Sequence, residues 1–205
     1  GRITEETMAS IQQVLQEAMA HQQAGRLTEA EAQYREILAR DDRQPDAWHL
    51  LGTIAQQIGD STTAVELISH AIALAPQNAS FHCNLGNALL GLGRVEDAEA
   101  SYRQAISRKA DFPLAQFNLG RLLASTGRPD DAAASFRRAI QLQPDFADAH
   151  YNLALIHQNQ RSWVAAISGY QRTLMLRSDH AEAWNNLGLV LKEQGSLSEA
   201  VQCYQ

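Results

Sequence analysis

The chain has 205 residues, with 23 acidic against 17 Lys and Arg side chains, a formal net charge of -6, and 45% hydrophobic but only 6% aromatic residues. That balance argues against a protein built to grip phosphate backbones, so no nucleic-acid partner is expected. No apolar run approaches the ~20 residues that cross a bilayer, and the N-terminus lacks a basic stretch followed by an apolar one; a cytoplasmic protein with no membrane partner is expected.

Residues 1–10 stand apart as an N-terminal extension, and "GRITEET" before Met8 reads as an expression scar. The two cysteines, Cys83 and Cys203, are too few for a disulfide framework and point to a reducing compartment. From residue 11 onward a 34-residue period organises the chain into segments 11–44, 45–78, 79–112, 113–146 and 147–180, with a truncated one at 181–205. The chain therefore reads as a piece of a longer protein, with Gln205 falling inside a helix.

In the segment 11–44, a first helix carrying Ala18 precedes Gly25, and a second helix carries Ala30 and Tyr34. The segment 45–78 repeats this with Gly52, Gly59, Ala64 and Ile68, and 79–112 does so with Gly86, Gly93, Ala98 and Tyr102. Gly120, Gly127, Ala132 and Phe136 follow, then Ala154, Arg161, Ala166 and Tyr170. The truncated segment has Gly188, Gly195, Ala200 and Tyr204. Small residues at positions 8 and 20 of the frame let two helices approach closely, and the bulk at position 24 fills the space between them. The Gly at position 15 can take positive φ and end the first helix. Each segment is thus predicted to be a hairpin of two antiparallel helices, the first of about fourteen residues. A lone hairpin cannot bury its apolar face, whereas a stack can.

This pattern resembles the tetratricopeptide repeat, most closely in "AWHLLGTIAQQIGD" (47–60) and "AWNNLGLVLKEQG" (183–195). The resemblance covers all but the first ten residues. It implies an all-α, right-handed superhelical solenoid, elongated and forming a single domain. Departures occur at position 4, where His82, Gln116 and His150 replace Trp, and at position 32, which is Pro only at Pro76 and Pro144. Looser packing is expected in those repeats.

In a solenoid of this kind the first helices line a concave groove, faced by positions 2, 5, 6, 9, 12 and 13. Position 6 carries Asn84, Asn118, Asn152 and Asn186 in one line, although Asn is a poorer helix former than Ala by some tenths of a kcal/mol. An Asn side chain offers an acceptor and two donors, which match the C=O and N–H of an extended peptide. The competing explanation is a polar residue tolerated on a wet helix face. Selectivity would come from Asn87 and Arg121 at position 9 and from Phe117 and Tyr151 at position 5; packing against the next repeat is the other role for the two aromatics. No Lys or Arg occupies positions 2, 5 or 6, so a clamp for the acidic tail of a heat-shock chaperone is not expected.

No phosphate-binding Gly-rich loop or HExxH pair is present. His150 and His157 share a helix face but occupy packing positions 4 and 11, which favours structural histidines over a metal pair. Asp130 and Asp131 suit the positive end of a helix dipole. No catalytic residue, metal or cofactor is predicted within residues 1–205. The Asn line and phrases such as "EAEAQYREIL" and "NLGNALLGLGR" resemble the repeat region of bacterial glycosyltransferases of the O-linked N-acetylglucosamine transferase or Spindly type. There the groove binds the backbone of protein substrates, so the partner expected here is a protein or extended peptide. Similar repeats precede sulfotransferase and methyltransferase domains, and a stand-alone assembly scaffold is the alternative from another class. The short second helix of the last repeat is expected to self-associate where a polar cap is lacking.

Overall fold

Helices alternate with short turns throughout residues 5–203, the backbone that the computed structural model describes; side chains are described for 9–203. The readings that rest on residues 1–4, on the Met8 side chain and on residues 204 and 205 lie outside these limits. The helices are α1 (Glu5–Gln23), α2 (Leu27–Arg40), α3 (Pro45–Gln57), α4 (Ser61–Leu74), α5 (Ala79–Gly91) and α6 (Val95–Arg108). They continue as α7 (Pro113–Ser125), α8 (Pro129–Leu142), α9 (Ala147–Asn159), α10 (Trp163–Leu176), α11 (Ala181–Glu193) and α12 (Leu197–Gln202). No strand occurs among the described residues. The chain divides into two units, Gly1–Lys109 and Ala110–Gln205. Each holds three consecutive hairpins, α1–α2, α3–α4 and α5–α6 in the first and α7–α8, α9–α10 and α11–α12 in the second.

Local sequence starts and stops these helices. Pro45, Pro113 and Pro129 sit in the first turns of α3, α7 and α8, where a missing N–H costs nothing. Asp60 caps α4 by accepting the Thr63 N–H at 3.0 Å. Asp130 and Asp131 lie in the first turn of α8, at the positive end of its dipole, and Asp131 also pairs with Arg128 at 2.8 Å. Each hairpin turn passes through one residue of positive φ: Gly25, Gly59, Gly93, Gly127 and Gly195 at +71° to +86°, and Arg161 at +57°. Arg161 adopts the left-handed conformation without the residue that favours it.

The small and large columns meet inside each hairpin as their spacing predicts. Ala30, Ala64, Ala98, Ala132 and Ala166 are fully buried, as are Tyr34, Ile68, Tyr102, Phe136 and Tyr170. A Cβ built on Gly86 would stand 2.6 Å from the Tyr102 ring, and one on Gly120 2.7 Å from that of Phe136. Ile68, Tyr102 and Phe136 thus press directly against Gly52, Gly86 and Gly120 of the facing helix. Burial of such a side chain contributes about 1.5–3 kcal/mol, more than the ~0.5–1 kcal/mol that the facing Gly costs its helix.

At position 4 the hydrogen bond of the Trp is kept by two of the three residues that replace it, although their side chains are smaller. Trp48 Nε1 donates to the Asp42 carbonyl at 2.7 Å and Trp184 Nε1 to the Ser178 carbonyl at 2.9 Å. His82 Nε2 makes the same contact with Pro76 at 2.9 Å, and His150 Nε2 with Pro144 at 3.0 Å. The frame needs an N–H that reaches back six residues to the incoming loop, and a His in the Nε2–H tautomer supplies it.

Candidate functional site

From the second hairpin on, the first helix places position 6 half-buried, so Asn84, Asn118, Asn152 and Asn186 all reach the surface only in part. Asn84 Nδ2 donates to His49 Nε2 on the preceding first helix at 2.7 Å. Asn186 Nδ2 donates to the Tyr151 hydroxyl at 3.1 Å, again on the preceding first helix. Asn152 Nδ2 instead turns back to the Asp148 carbonyl of its own helix at 2.8 Å. Part of the hydrogen-bonding capacity of this column is therefore spent on tying repeats together.

In the first unit the column belongs to a chain of polar contacts. The Tyr102 hydroxyl donates to Asn87 Oδ1 at 2.7 Å, Asn87 Nδ2 reaches Asn84 Oδ1 at 3.5 Å, and Asn84 ends on His49. An amide NH2 can only donate, so His49 Nε2 accepts and its ring carries the proton on Nδ1. Burial pushes the His49 imidazole down to about 4 and keeps it neutral, and the ring stacks on Phe81 at 4.5 Å. Gln22 plays the part of Asn87 two hairpins earlier, accepting from the Tyr34 hydroxyl at 3.0 Å and donating to Thr53 at 2.9 Å. Beside it, Met19, Gln23, Leu50 and Gln57 form a shallow depression on the first-helix face.

Position 5 departs from the sequence reading. His49, Cys83 and Phe117 are buried rather than presented on the face. Phe117 packs between Phe136, 5.7 Å away, and Phe146, 4.8 Å away, because this position turns into the seam against the loop that leads to the next repeat. Its exposed neighbour is Arg121, whose guanidinium lies 5.9 Å from the Phe117 ring. Tyr151 keeps a half-buried edge, with its ring 4.6 Å from His180 and its hydroxyl taken by Asn186. Burial, with the Glu182 charge behind it, raises the Tyr151 phenol, so it stays a neutral hydrogen-bonding group. The residues that sequence reasoning missed are Gln22 and Gln158, the partners of the Tyr34 and Tyr170 hydroxyls. Gln at position 12 in both repeats was the available signal.

No group of three or more His, Cys, Asp or Glu side chains is placed to hold a metal among the described residues, and no described helix is long and apolar enough to cross a membrane. What the first-helix faces offer is mostly uncharged: amides and a phenol edge, with the Arg121 guanidinium beside them. Such groups can hydrogen-bond to polypeptide backbone and side chains.

Stacked hairpins with this small–large packing define a helical-repeat binding scaffold. The tetratricopeptide repeat family model matches residues 15–79, 83–145, 125–177 and 151–205, and the chain belongs to that family. Proteins of the family bind protein or peptide partners. No curated protein sequence matches the chain. Among solved structures it is similar to PilF of Pseudomonas aeruginosa, at 20% identity over 94% of this chain and 89% of that one, with a TM-score of 0.84. It is also similar to PilW, a type IV pilus biogenesis factor, at 22% identity over 95% and 90% of the two chains, with a TM-score of 0.83. YrrB, a repeat protein with an unusual peptide-binding site, matches at 22% identity over 83% and 88%, with a TM-score of 0.64. At these identities the likeness is one of fold.

Proposed function

We propose that the first-helix faces of each unit hold an extended segment of a partner protein, with Asn118, Asn152, Asn186 and Arg121 as the contacts in the second unit and Asn84 and Asn87 in the first. The observation that carries this reading is the unspent acceptor of Asn152 in the middle of the column. Asn152 uses Nδ2 within its own helix, while its Oδ1 makes no hydrogen bond to any described residue; Asn186 spends its amide on Tyr151 and also interacts with Tyr170. An acceptor at that phase meets a backbone N–H of a peptide lying along the face. Tyr151 adds an apolar edge, and Phe117 acts from beneath by supporting Arg121.

The test is a panel of unrelated unstructured peptides of about 12 residues, long enough to span ~40 Å when extended, titrated into the protein while the Asn side-chain amides are followed by NMR. Shifts at Asn152 and Asn186 for the binding peptides support the reading. Binders that shift only resonances on the second helices contradict it.

The same reading extends to the parent protein as the substrate-recognition region of a glycosyltransferase-like enzyme, supported by the resemblance of the Asn column and the repeat phrases. A stand-alone assembly scaffold is the alternative reading, and the same groove would serve it. The intact mass of the parent protein separates the two. Self-association through the last hairpin is supported by Leu197 and Val201, 61% and 55% exposed on α12. A strict monomer in sedimentation at high concentration removes it.

A further inference from the structure

Off the first-helix face, α9 and α10 enclose a cleft of about 370 Å³ lined by His150, Leu153, Ala154, His157, Ala165, Ser168, Gly169 and Arg172. The cleft is open because its own lining is small. Position 4 is His150 where Trp48 and Trp184 stand in other repeats, and Ala165, Ser168 and Gly169 present almost no side chain from α10. In the repeat with Trp48 the equivalent space is filled, since its ring packs 4.3 Å from that of His70.

The charge in this cleft has one sign. Arg172 is half-buried and makes no hydrogen bond or ion pair with any described residue. His157, also half-buried, makes no hydrogen bond to a described residue. His150 spends Nε2 on the Pro144 carbonyl and keeps Nδ1. No carboxylate lines the cleft. On α9, Asp148 is paired with Arg177 at 2.8 Å. On α8, Asp131 is paired with Arg128, Asp130 accepts from Gln160, and Arg137 and Arg138 are the cations; Arg172 is the one charged residue of α10. Leaving an Arg partly desolvated and without a counter-charge in a protein of net charge -6 costs free energy unless an anion joins it.

We propose that this cleft binds a tetrahedral dianion, a free sulfate or phosphate or the phosphoryl group of a monoester, held by Arg172 and His157 with the Ser168 hydroxyl and His150 Nδ1 completing the shell. A guanidinium suits two oxygens of such an ion at once. Burial first, and then the charge of Arg137, holds the His157 imidazole below its usual range. A bound dianion opposes that bias, so binding and protonation of His157 help one another, and affinity falls as pH rises through the range in which His157 loses its proton.

Sulfate stays a dianion across this range and is the first probe, titrated by calorimetry at constant ionic strength near about pH 5.5 and about pH 8. The expected result is saturable binding at the lower pH, weaker at the higher, with the His157 ring protons shifting. Arg172→Gln weakens it roughly tenfold or more at both, and His157→Gln removes the pH dependence. Phosphoserine is the second probe. Tighter binding of phosphoserine points to a monoester source, and sulfate alone points to a free ion. No saturable sulfate binding to the unaltered protein at the lower pH overturns the proposal, as does equal binding by a folded Arg172→Gln variant.

Discussion

Asn84 donates to His49 across 2.7 Å from one first helix to the one before it, and Asn186 repeats the link to Tyr151, 35 residues apart in both pairs. The column that looks like a peptide ladder is thus also a set of staples between repeats. Replacing Asn84 or Asn186 by Ala removes one such bond and leaves a partner unsatisfied, at a cost of about 0.5–1.5 kcal/mol each. Asn152 bonds only to its own helix, so Asn152→Ala is expected to be neutral or slightly stabilising through helix propensity. Urea unfolding of the three variants checks this ordering, which an unchanged Asn84→Ala midpoint contradicts.

The same link sets a pH dependence. Folded His49 titrates at about 4 because burial disfavours its charge, while the unfolded chain takes up the proton near 6.5. Between these values the unfolded state binds more protons, so stability is fully present above about 6.5 and is lost as pH falls toward 4, by up to roughly 3 kcal/mol from this one residue. Unfolding free energies at neutral and acidic pH are expected to differ less in His49→Gln than in the unaltered protein. An equal difference removes His49 as the source.

The fold was legible because its signals are local and periodic. Ala98 facing Tyr102 and Gly93 ending α5 follow from a frame that can be counted along the chain, and both stand where counted. The site was only half legible. Asn84 and Asn186 are at the expected phase, but whether position 5 turns outward depends on how far each first helix rotates against the next. That rotation is set by contacts such as Phe117 with Phe146, from a distant loop. The role of His82 and His150 was hidden for a chemical reason: His and Trp differ in size and charge, whereas the hydrogen bond to the incoming loop uses the ring N–H they share.

Arg161 is the exception among the hairpin turns, at φ +57° without being Gly. A side chain in the left-handed region costs roughly 1–2 kcal/mol, offset in part by the greater freedom Gly has when unfolded. Arg161→Gly is expected to raise stability by about 0.5–1 kcal/mol, seen as a higher melting temperature. A lower one means that the Arg side chain contributes contacts that outweigh the strain.

Packing inside the hairpins gives the sharpest stability test. Ala98 and Ala132 are fully buried, and Leu at either is expected to cost ~1–3 kcal/mol through overpacking. Gly86→Ala, whose Cβ would meet the Tyr102 ring at 2.6 Å, is expected to destabilise by a similar ~1–3 kcal/mol. Denaturant midpoints report both, and neutrality at all three sites contradicts the helix register described above.

The central claim is that the Asn column holds a polypeptide backbone, and it is tested most directly by the affinity of Asn118→Ala/Asn152→Ala for the tightest-binding peptide of the panel. Two lost side chains, at about 0.5–1.5 kcal/mol per hydrogen bond, predict binding weaker by roughly tenfold or more. Arg121→Ala, measured beside it, is expected to alter which peptides bind more than how tightly all of them do. Affinity that is unchanged in the double variant while it remains folded contradicts the claim.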